Sequence, residues 1–119
     1  MVGLVLEKLD ALLAEAAQQK SLLTYRQVAQ ALDLEPPHVI QQAAELLEAL
    51  MRSQAKTEKP LLASLVVGRA RMGLPAPGYF ILLNELGMYQ GSVDGEDARR
   101  IHAEQGQRCY EAADGQHQR

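Results

Sequence analysis

The sequence predicts a small α+β domain made mainly of helices, and three observations lead to this fold class. Residues 23–52 hold two apolar-periodic runs separated by a break at residues 33–36, which indicates a helix, a tight turn and a second helix. Residues 61–67 form a short apolar run that ends in two valines, as is typical of a buried strand. Glycines and prolines in residues 68–78 then predict a loop.

The composition is that of a folded domain with an aliphatic core. The chain has 119 residues, of which 47% are hydrophobic and only 4% are aromatic. This length suits one domain, which we expect to cover residues 1–113, followed by a flexible tail at residues 114–119. No apolar run approaches the ~20 residues of a membrane span, so no membrane partner is expected. The single cysteine, Cys109, and the lack of a secretory-signal pattern make a cytoplasmic location the default expectation.

The first helix of the central pair is predicted to begin after Thr24. The hydroxyl of Thr24 can cap an early N–H group, and Gln27 three residues later completes a capping box. Leu23 and Val28 occupy the two positions of a hydrophobic staple around that cap. The helix is expected to end near Leu32, because the two prolines that follow disfavour helical backbone in the residues before them.

The second helix of the pair is predicted to run from Pro37 to Arg52 with one broad apolar stripe. A short helix, a turn of about four residues and a second helix match the helix-turn-helix motif. In DNA readers the start of the second helix meets base edges, and here it offers His38, Gln41 and Gln42. The alternative interpretation is a solvated polar face on a structural helix.

The other elements complete the prediction of a winged helix, that is, a helix-turn-helix unit followed by a β-wing, with an extra helix at each end. Residues 2–18 read as an amphipathic helix, and residues 53–60 as a polar linker. The loop at residues 69–78 is the candidate wing. Residues 79–86 form either a return strand or a short helix, with the apolar spacing favouring the helix, and residues 96–112 form a last helix.

The charge distribution bears on the partner in two opposite ways. The formal net charge is −3, which argues against strong non-specific binding to nucleic acid. Residues 51–92, however, carry five basic side chains against two acidic ones, and Arg69 and Arg71 lie at the start of the candidate wing. A basic wing fits a nucleic-acid contact. The alternative is ordinary solubilising charge on loops.

Residue patterns for catalysis or metal binding are missing from the sequence. His38, His102 and His117 are scattered, whereas a metal site needs clustered ligands. Ser64 has no His or Asp near it in sequence, and Cys109 is interpreted as a small core residue. No phosphate-binding loop signature occurs. We therefore expect no enzyme, no catalytic residue, no metal and no cofactor.

One stretch of the chain resembles a known family. Residues 24–32 read Thr-Tyr-Arg-Gln-Val-Ala-Gln-Ala-Leu. They resemble the Thr-Tyr-x-x-(Val/Ile)-Ala-x-Ala-Leu opening of the DNA-binding domain of O6-alkylguanine-DNA alkyltransferases and alkyltransferase-like proteins. The resemblance extends over roughly residues 22–87 and implies a winged-helix fold and DNA as partner. It also implies that Tyr25 lies near the phosphate of a flipped nucleotide, whereas its alternative role is packing at a helix N-terminus.

The family's reactive motif is missing. Aligned on Val66 and Val67, the family's Pro-Cys-His-Arg is replaced by Leu62, Ala63, Ser64 and Leu65. A thiolate nucleophile is needed for alkyl transfer, so the resemblance does not imply that activity here. The family's duplex-opening arginine has no clear counterpart in the second helix. The chain is also similar to uncharacterised bacterial winged-helix proteins, which implies a fold but no activity.

These observations together predict non-enzymatic binding of nucleic acid, most simply double-stranded DNA. The alternative is a winged-helix module that binds protein, for instance a homodimer in which Leu6 and Leu13 of the first helix face the partner. The residues assigned to DNA are His38, Gln41 and Gln42 for base edges, and Tyr25, Arg26, Arg69 and Arg71 for the backbone.

Overall fold

The computed structural model describes residues 2–117, with side-chain burial for residues 3–115, and shows a mostly helical α+β fold. None of the helices described combines the length and the apolar character that crossing a membrane requires. The elements in chain order are α1 (Val2–Gln18), β1 (Leu23–Thr24), α2 (Tyr25–Ala31), α3 (Val39–Lys56), a 3-10 helix (Leu62–Leu65), β2 (Val66–Val67), α4 (Pro77–Glu85) and α5 (Gly95–His117).

Strands β1 and β2 pair in parallel, with Leu23 opposite Val66 and Thr24 opposite Val67. The predicted strand at residues 61–67 is therefore wrong for all but its last two residues. Residues 62–65 coil into the 3-10 helix instead. Strand β1 has only two residues with which β2 can pair. The backbone of residues 62–65, which precede β2, therefore makes hydrogen bonds within its own turn. For example, the Ser64 N–H donates to the Leu61 carbonyl (3.0 Å).

The chain after β2 forms a loop and not a β-hairpin. In the part of the chain that the structure describes, the sheet consists of the β1–β2 pair alone, so residues 68–76 are not the turn of an antiparallel wing. This loop leads directly into α4, which confirms the helical alternative for residues 79–86. Pro77 occupies the first turn of α4, where its missing N–H costs no hydrogen bond.

The start of α2 agrees with the sequence prediction in atomic detail. The Gln27 N–H donates to Thr24 Oγ1 (3.1 Å), and the Thr24 N–H donates to Gln27 Oε1 (2.8 Å). The predicted bounds of α1 are confirmed as well. Both predictions rest on local sequence, which is why they hold.

Helix α3 begins two residues later and ends four residues later than predicted. His38, and not a proline, precedes its first turn, with left-handed backbone at φ 62°. The helix extends into the first four residues of the predicted linker, where Gln54 is buried. The Gln54 amide donates to Asp10 Oδ1 (3.2 Å), and its Oε1 accepts from the Leu62 N–H (3.1 Å).

Helix α5 also extends past its predicted end at residue 112, and the tail predicted from residue 114 is helical to His117. Two contacts hold this last part. Ala113 is buried, and the Asp114 carboxylate forms an ion pair with Lys20 at 2.8 Å. Residues 118–119 of the predicted tail lie outside the described residues.

One aliphatic core joins the helix-turn-helix unit to the 61–67 segment, as the sequence predicts. Leu13 lies in this core with no exposure, so its predicted role at a dimer interface is wrong. Leu6 is half-buried against the same core. Buried members of the core include Leu9 and Leu13 from α1, Val28 from α2, Leu47 and Met51 from α3, Leu61 and Val66, and Phe80 and Leu83 from α4.

The capping box yields a stability prediction. Replacing Thr24 by Ala removes the side-chain acceptor of an early α2 N–H, and we expect this to lower the free energy of unfolding by about 1 kcal/mol. Thr24→Ser keeps the hydroxyl and should retain most of the stability. Chemical denaturation of both variants gives the measurement, and equal losses for Ala and Ser would contradict a capping role.

Candidate nucleic-acid interface

Helices α2 and α3 form a helix-turn-helix unit whose turn is longer than predicted. Residues 32–38 connect the two helices. The turn is held to α2 by the Leu34 N–H, which donates to the Ala29 carbonyl (3.1 Å). Asp33 has left-handed backbone, with φ at 53°. The first turn of α3 lies at the surface, where His38, Ile40 and Gln41 are exposed.

The Gln42 side chain is bonded to the protein's own turn. Its amide nitrogen donates to the carbonyl oxygens of Glu35 and Pro37, each at 2.8 Å. These two bonds use both N–H groups of the amide, and an adenine edge would need one of them. The predicted role of Gln42 in base reading is therefore replaced by a structural one, since its side chain clamps the turn.

His38 and Gln41 remain at the surface. Both side chains are exposed, and Gln41 makes only a long side-chain hydrogen bond to Glu45 (3.4 Å). Ile40 lies between them and is 39% exposed, although the periodicity of α3 places it on the buried stripe. The exposed start of α3 therefore offers one imidazole, one amide and one apolar side chain.

Tyr25 is a packing residue with a specific partner. It is only 8% exposed, and its hydroxyl oxygen accepts the Ala76 N–H at 2.8 Å. Burial raises the pKa of the Tyr25 hydroxyl, and the bond from Ala76 opposes that rise. The bond joins the start of α2 to the end of the 68–76 loop. Because so little of the ring is accessible, the predicted phosphate contact gives way to this internal role.

Arg71 also acts inside the protein. Its Nε donates to the Pro75 carbonyl (3.0 Å), and an Nη2 hydrogen bond reaches the Val93 carbonyl. The side chain is half-buried, so its charge holds the loop to the segment before α5. Arg71 therefore anchors the loop with two of its five N–H groups, and its predicted contact with the DNA backbone stays a prediction.

Arg26 and Arg69 are the predicted backbone contacts that remain exposed. Their placement follows from the parallel sheet, because parallel strands end at the same edge. Strand β1 leads into Tyr25 and Arg26, and β2 leads into Gly68 and Arg69. Both residues therefore follow the same end of the β1–β2 pair.

The helix-turn-helix surface itself is acidic. Residues 25–48 carry four carboxylates against the single cation of Arg26. Glu48 is half-buried beside Gly78, where an added Cβ would lie 2.7 Å from its Oε2. Burial raises the pKa of Glu48, and Arg52 opposes the rise. The other three carboxylates, Asp33, Glu35 and Glu45, are exposed.

A small cavity of about 60 Å³ lies behind this surface. Tyr25, Glu48, Ala63 and Tyr79 are among the residues that line it. The Tyr79 hydroxyl shares a 2.5 Å hydrogen bond with Ser64 Oγ. Burial raises the pKa of Tyr79, so its hydroxyl stays protonated.

The side chains considered for catalysis are buried in the protein interior. Ser64 is fully buried, and its carbonyl oxygen lies 2.7 Å from His102 Nε2. Cys109 donates to the Leu61 carbonyl (3.4 Å), and burial raises the pKa of its thiol to about 12. Within residues 2–117, His, Cys, Asp and Glu side chains do not gather in threes as a metal ion would need.

The geometry thus divides the predicted site residues into two groups. One group is exposed, with His38 and Gln41 at the start of α3 and Arg26 and Arg69 after the two strands. The other group forms hydrogen bonds within the protein and consists of Tyr25, Gln42 and Arg71. The sequence matches no family model, no curated protein and no solved structure.

The two glutamines of α3 provide a matched test of this division. Gln42→Ala removes both bonds that clamp the turn and should lower the free energy of unfolding by about 1–2 kcal/mol. Gln41→Ala removes one long surface bond and should change it by less than about 0.5 kcal/mol. Denaturant titration of the two variants decides, and equal effects would contradict the clamp.

The burial of His102 predicts that the free energy of unfolding falls as the pH drops. Burial lowers the pKa of His102 below its ordinary value, while the bond to the Ser64 carbonyl opposes the shift. Protonation therefore favours the unfolded chain. The stability from this group is complete above the unfolded pKa of about 6.5, falls as the pH drops below it, and levels off below the folded pKa.

His102→Gln removes the titrating ring and keeps an N–H donor. The free energy of unfolding of this variant should fall less between about pH 7 and pH 5 than that of the wild type. Denaturation across this range measures the difference. Parallel curves for the two proteins would rule out a contribution from His102.

Proposed function

We propose that this protein is a non-enzymatic, winged-helix type protein that binds double-stranded DNA. The first turn of α3 would lie in a groove, and the 68–76 loop would take the place of a β-wing. The observation that carries the proposal is the α2–α3 unit, because its turn is clamped by Gln42 so that His38, Ile40 and Gln41 are exposed together. In helix-turn-helix proteins, residues at the start of the second helix contact base edges.

The resemblance of residues 24–32 to alkyltransferase-like proteins supports the same partner. Tyr25 and Ala63, at the positions aligned with that family's tyrosine and cysteine, line one cavity in this structure. With Ala63 in the cysteine position, the cavity has no thiolate for alkyl transfer. Binding without chemistry is therefore the proposed activity.

Electrostatics sets the character of this binding. Arg26 and Arg69 are exposed cations that follow the two strands, and the helix-turn-helix unit carries four carboxylates, two in its turn and two on α3. Two phosphate contacts give a slope of only about −2 for log K against log salt concentration. The complex should therefore be weak on arbitrary duplex and should depend on groove contacts.

A duplex titration tests the proposal. At low salt we expect a Kd below about 100 μM on mixed-sequence duplex, within the range of non-specific binders. Fluorescence anisotropy at about 50 and 200 mM salt gives the affinity and the slope. No detectable binding at a protein concentration of about 100 μM would contradict the proposed function.

Arginine variants test where the backbone is contacted. Arg26→Ala and Arg69→Ala should each reduce the salt slope by about 0.9, because each removes one phosphate contact. Lys56→Ala is the matched control, since this exposed cation lies at the far end of the 18-residue helix α3. If neither arginine substitution changes the salt slope, the phosphate contacts lie elsewhere on the protein.

A protein-interaction module is the second candidate, and the acidic helix-turn-helix surface favours it. Asp33, Glu35 and Glu45 are exposed next to the candidate groove-binding turn, where they repel phosphate but suit a basic protein partner. A homodimer, the simplest protein partner, would have to form through another surface, since two copies of this acidic surface repel each other. Sedimentation equilibrium tests that form, because a concentration-independent monomer mass would exclude the homodimer.

A further inference from the structure

Met72 is the most exposed of the large apolar side chains described. It is 83% exposed, compared with 58% for Leu4 and 53% for Ile81. Its backbone is also in the left-handed region, at φ 54°. That conformation is uncommon for a residue other than glycine, asparagine or aspartate, and it costs free energy. The fold thus tolerates both a strained backbone and a fully solvated thioether at this position.

The loop that carries Met72 is fixed by hydrogen bonds on both sides. The Gly68 N–H donates to the Leu74 carbonyl (2.9 Å), and the Leu74 N–H donates to the Arg71 carbonyl (3.1 Å). The Arg71 side chain then binds the Pro75 carbonyl (3.0 Å), and Leu74 and Pro75 are buried. Met72 is therefore held outward at the tip of an anchored turn.

The loop and α2 begin at the same end of the β1–β2 pair, and each carries one exposed cation near its start. Strand β2 leads into the loop through Arg69, and Arg26 follows β1 at the same end. The hydrogen bond between the Ala76 N–H and the Tyr25 hydroxyl attaches the other end of the loop to α2. An apolar tip with cations at its base is the arrangement with which minor-groove proteins insert a side chain between base pairs.

We infer that Met72 is an apolar wedge that enters the minor groove and partly unstacks one base step of bound DNA. The inference rests on the proposed function and adds the manner of binding to it. Arg26 and Arg69 hold the flanking phosphates, and the unbranched methionine side chain fits between bases. The wedge supplies apolar burial at a surface that has few cations, and flexible pyrimidine–purine steps are its favoured entry points.

The test uses the full chain and duplexes that carry 2-aminopurine beside a TA or CA step, since the fluorescence of this base rises on unstacking. The wild type should raise the fluorescence. Met72→Ala should remove most of the rise and weaken binding about tenfold, because the side chain is no longer buried between bases. Met72→Leu keeps an apolar wedge and should retain both signals. Leu4→Ala is the matched control, an exposed apolar residue on α1.

The outcomes separate this inference from the function on which it rests. If the wild type binds duplex but leaves the fluorescence unchanged, or if Met72→Ala behaves like the wild type, the wedge is overturned and DNA binding stands. If the wild type binds no duplex, both are overturned. Loss of a co-purifying protein from Met72→Ala with no change in DNA binding would also overturn the wedge. Because Met72 is exposed, unfolding of Met72→Ala should match the wild type, which excludes misfolding as the cause of a lost signal.

Discussion

The pairing of two residues of β1 with two residues of β2 determines the arrangement of the whole site. It is a small interaction, yet it joins segments more than forty residues apart and brings the start of α2 next to the start of the 68–76 loop. Tyr25 strengthens this junction from the α2 side through its bond to Ala76. Without this pairing, the helix-turn-helix unit and the loop would be separate surfaces. With it, Arg26 near the start of α2 and Arg69 near the start of the loop follow the same end of the β1–β2 pair.

Local sequence was sufficient wherever the determining contacts are local. The capping box of α2 needs only Thr24 and Gln27, and the amphipathic pattern of α1 needs only its own residues, so both were predicted correctly. The extension of α3 could not be predicted, because Gln54 looks like a linker residue until Asp10 and Leu62 are placed beside it. Contacts between distant parts of the chain decide such boundaries.

The candidate site shows the same division. A polar or charged residue in a suggestive position can either face a ligand or satisfy the protein's own backbone, and the sequence does not distinguish these roles. Gln42 and Arg71 both bind carbonyl oxygens of their own turns. Within the loop, Leu74 is buried whereas Met72 is exposed, although both are apolar residues within two positions of a glycine. Only the folded structure shows which of these residues are exposed and which are bound within the protein.

The proposed binding mode requires DNA to touch the start of α3 and the tip of the 68–76 loop at the same time. Backbone amide shifts in a 15N-labelled sample, followed while duplex DNA is added, test this most directly. If DNA binds in this way, the largest shifts fall on residues 38–41 and 68–73, with small changes in α1 and the second half of α5. Shifts that cluster on α1 and α5, and leave both segments unchanged, would contradict it.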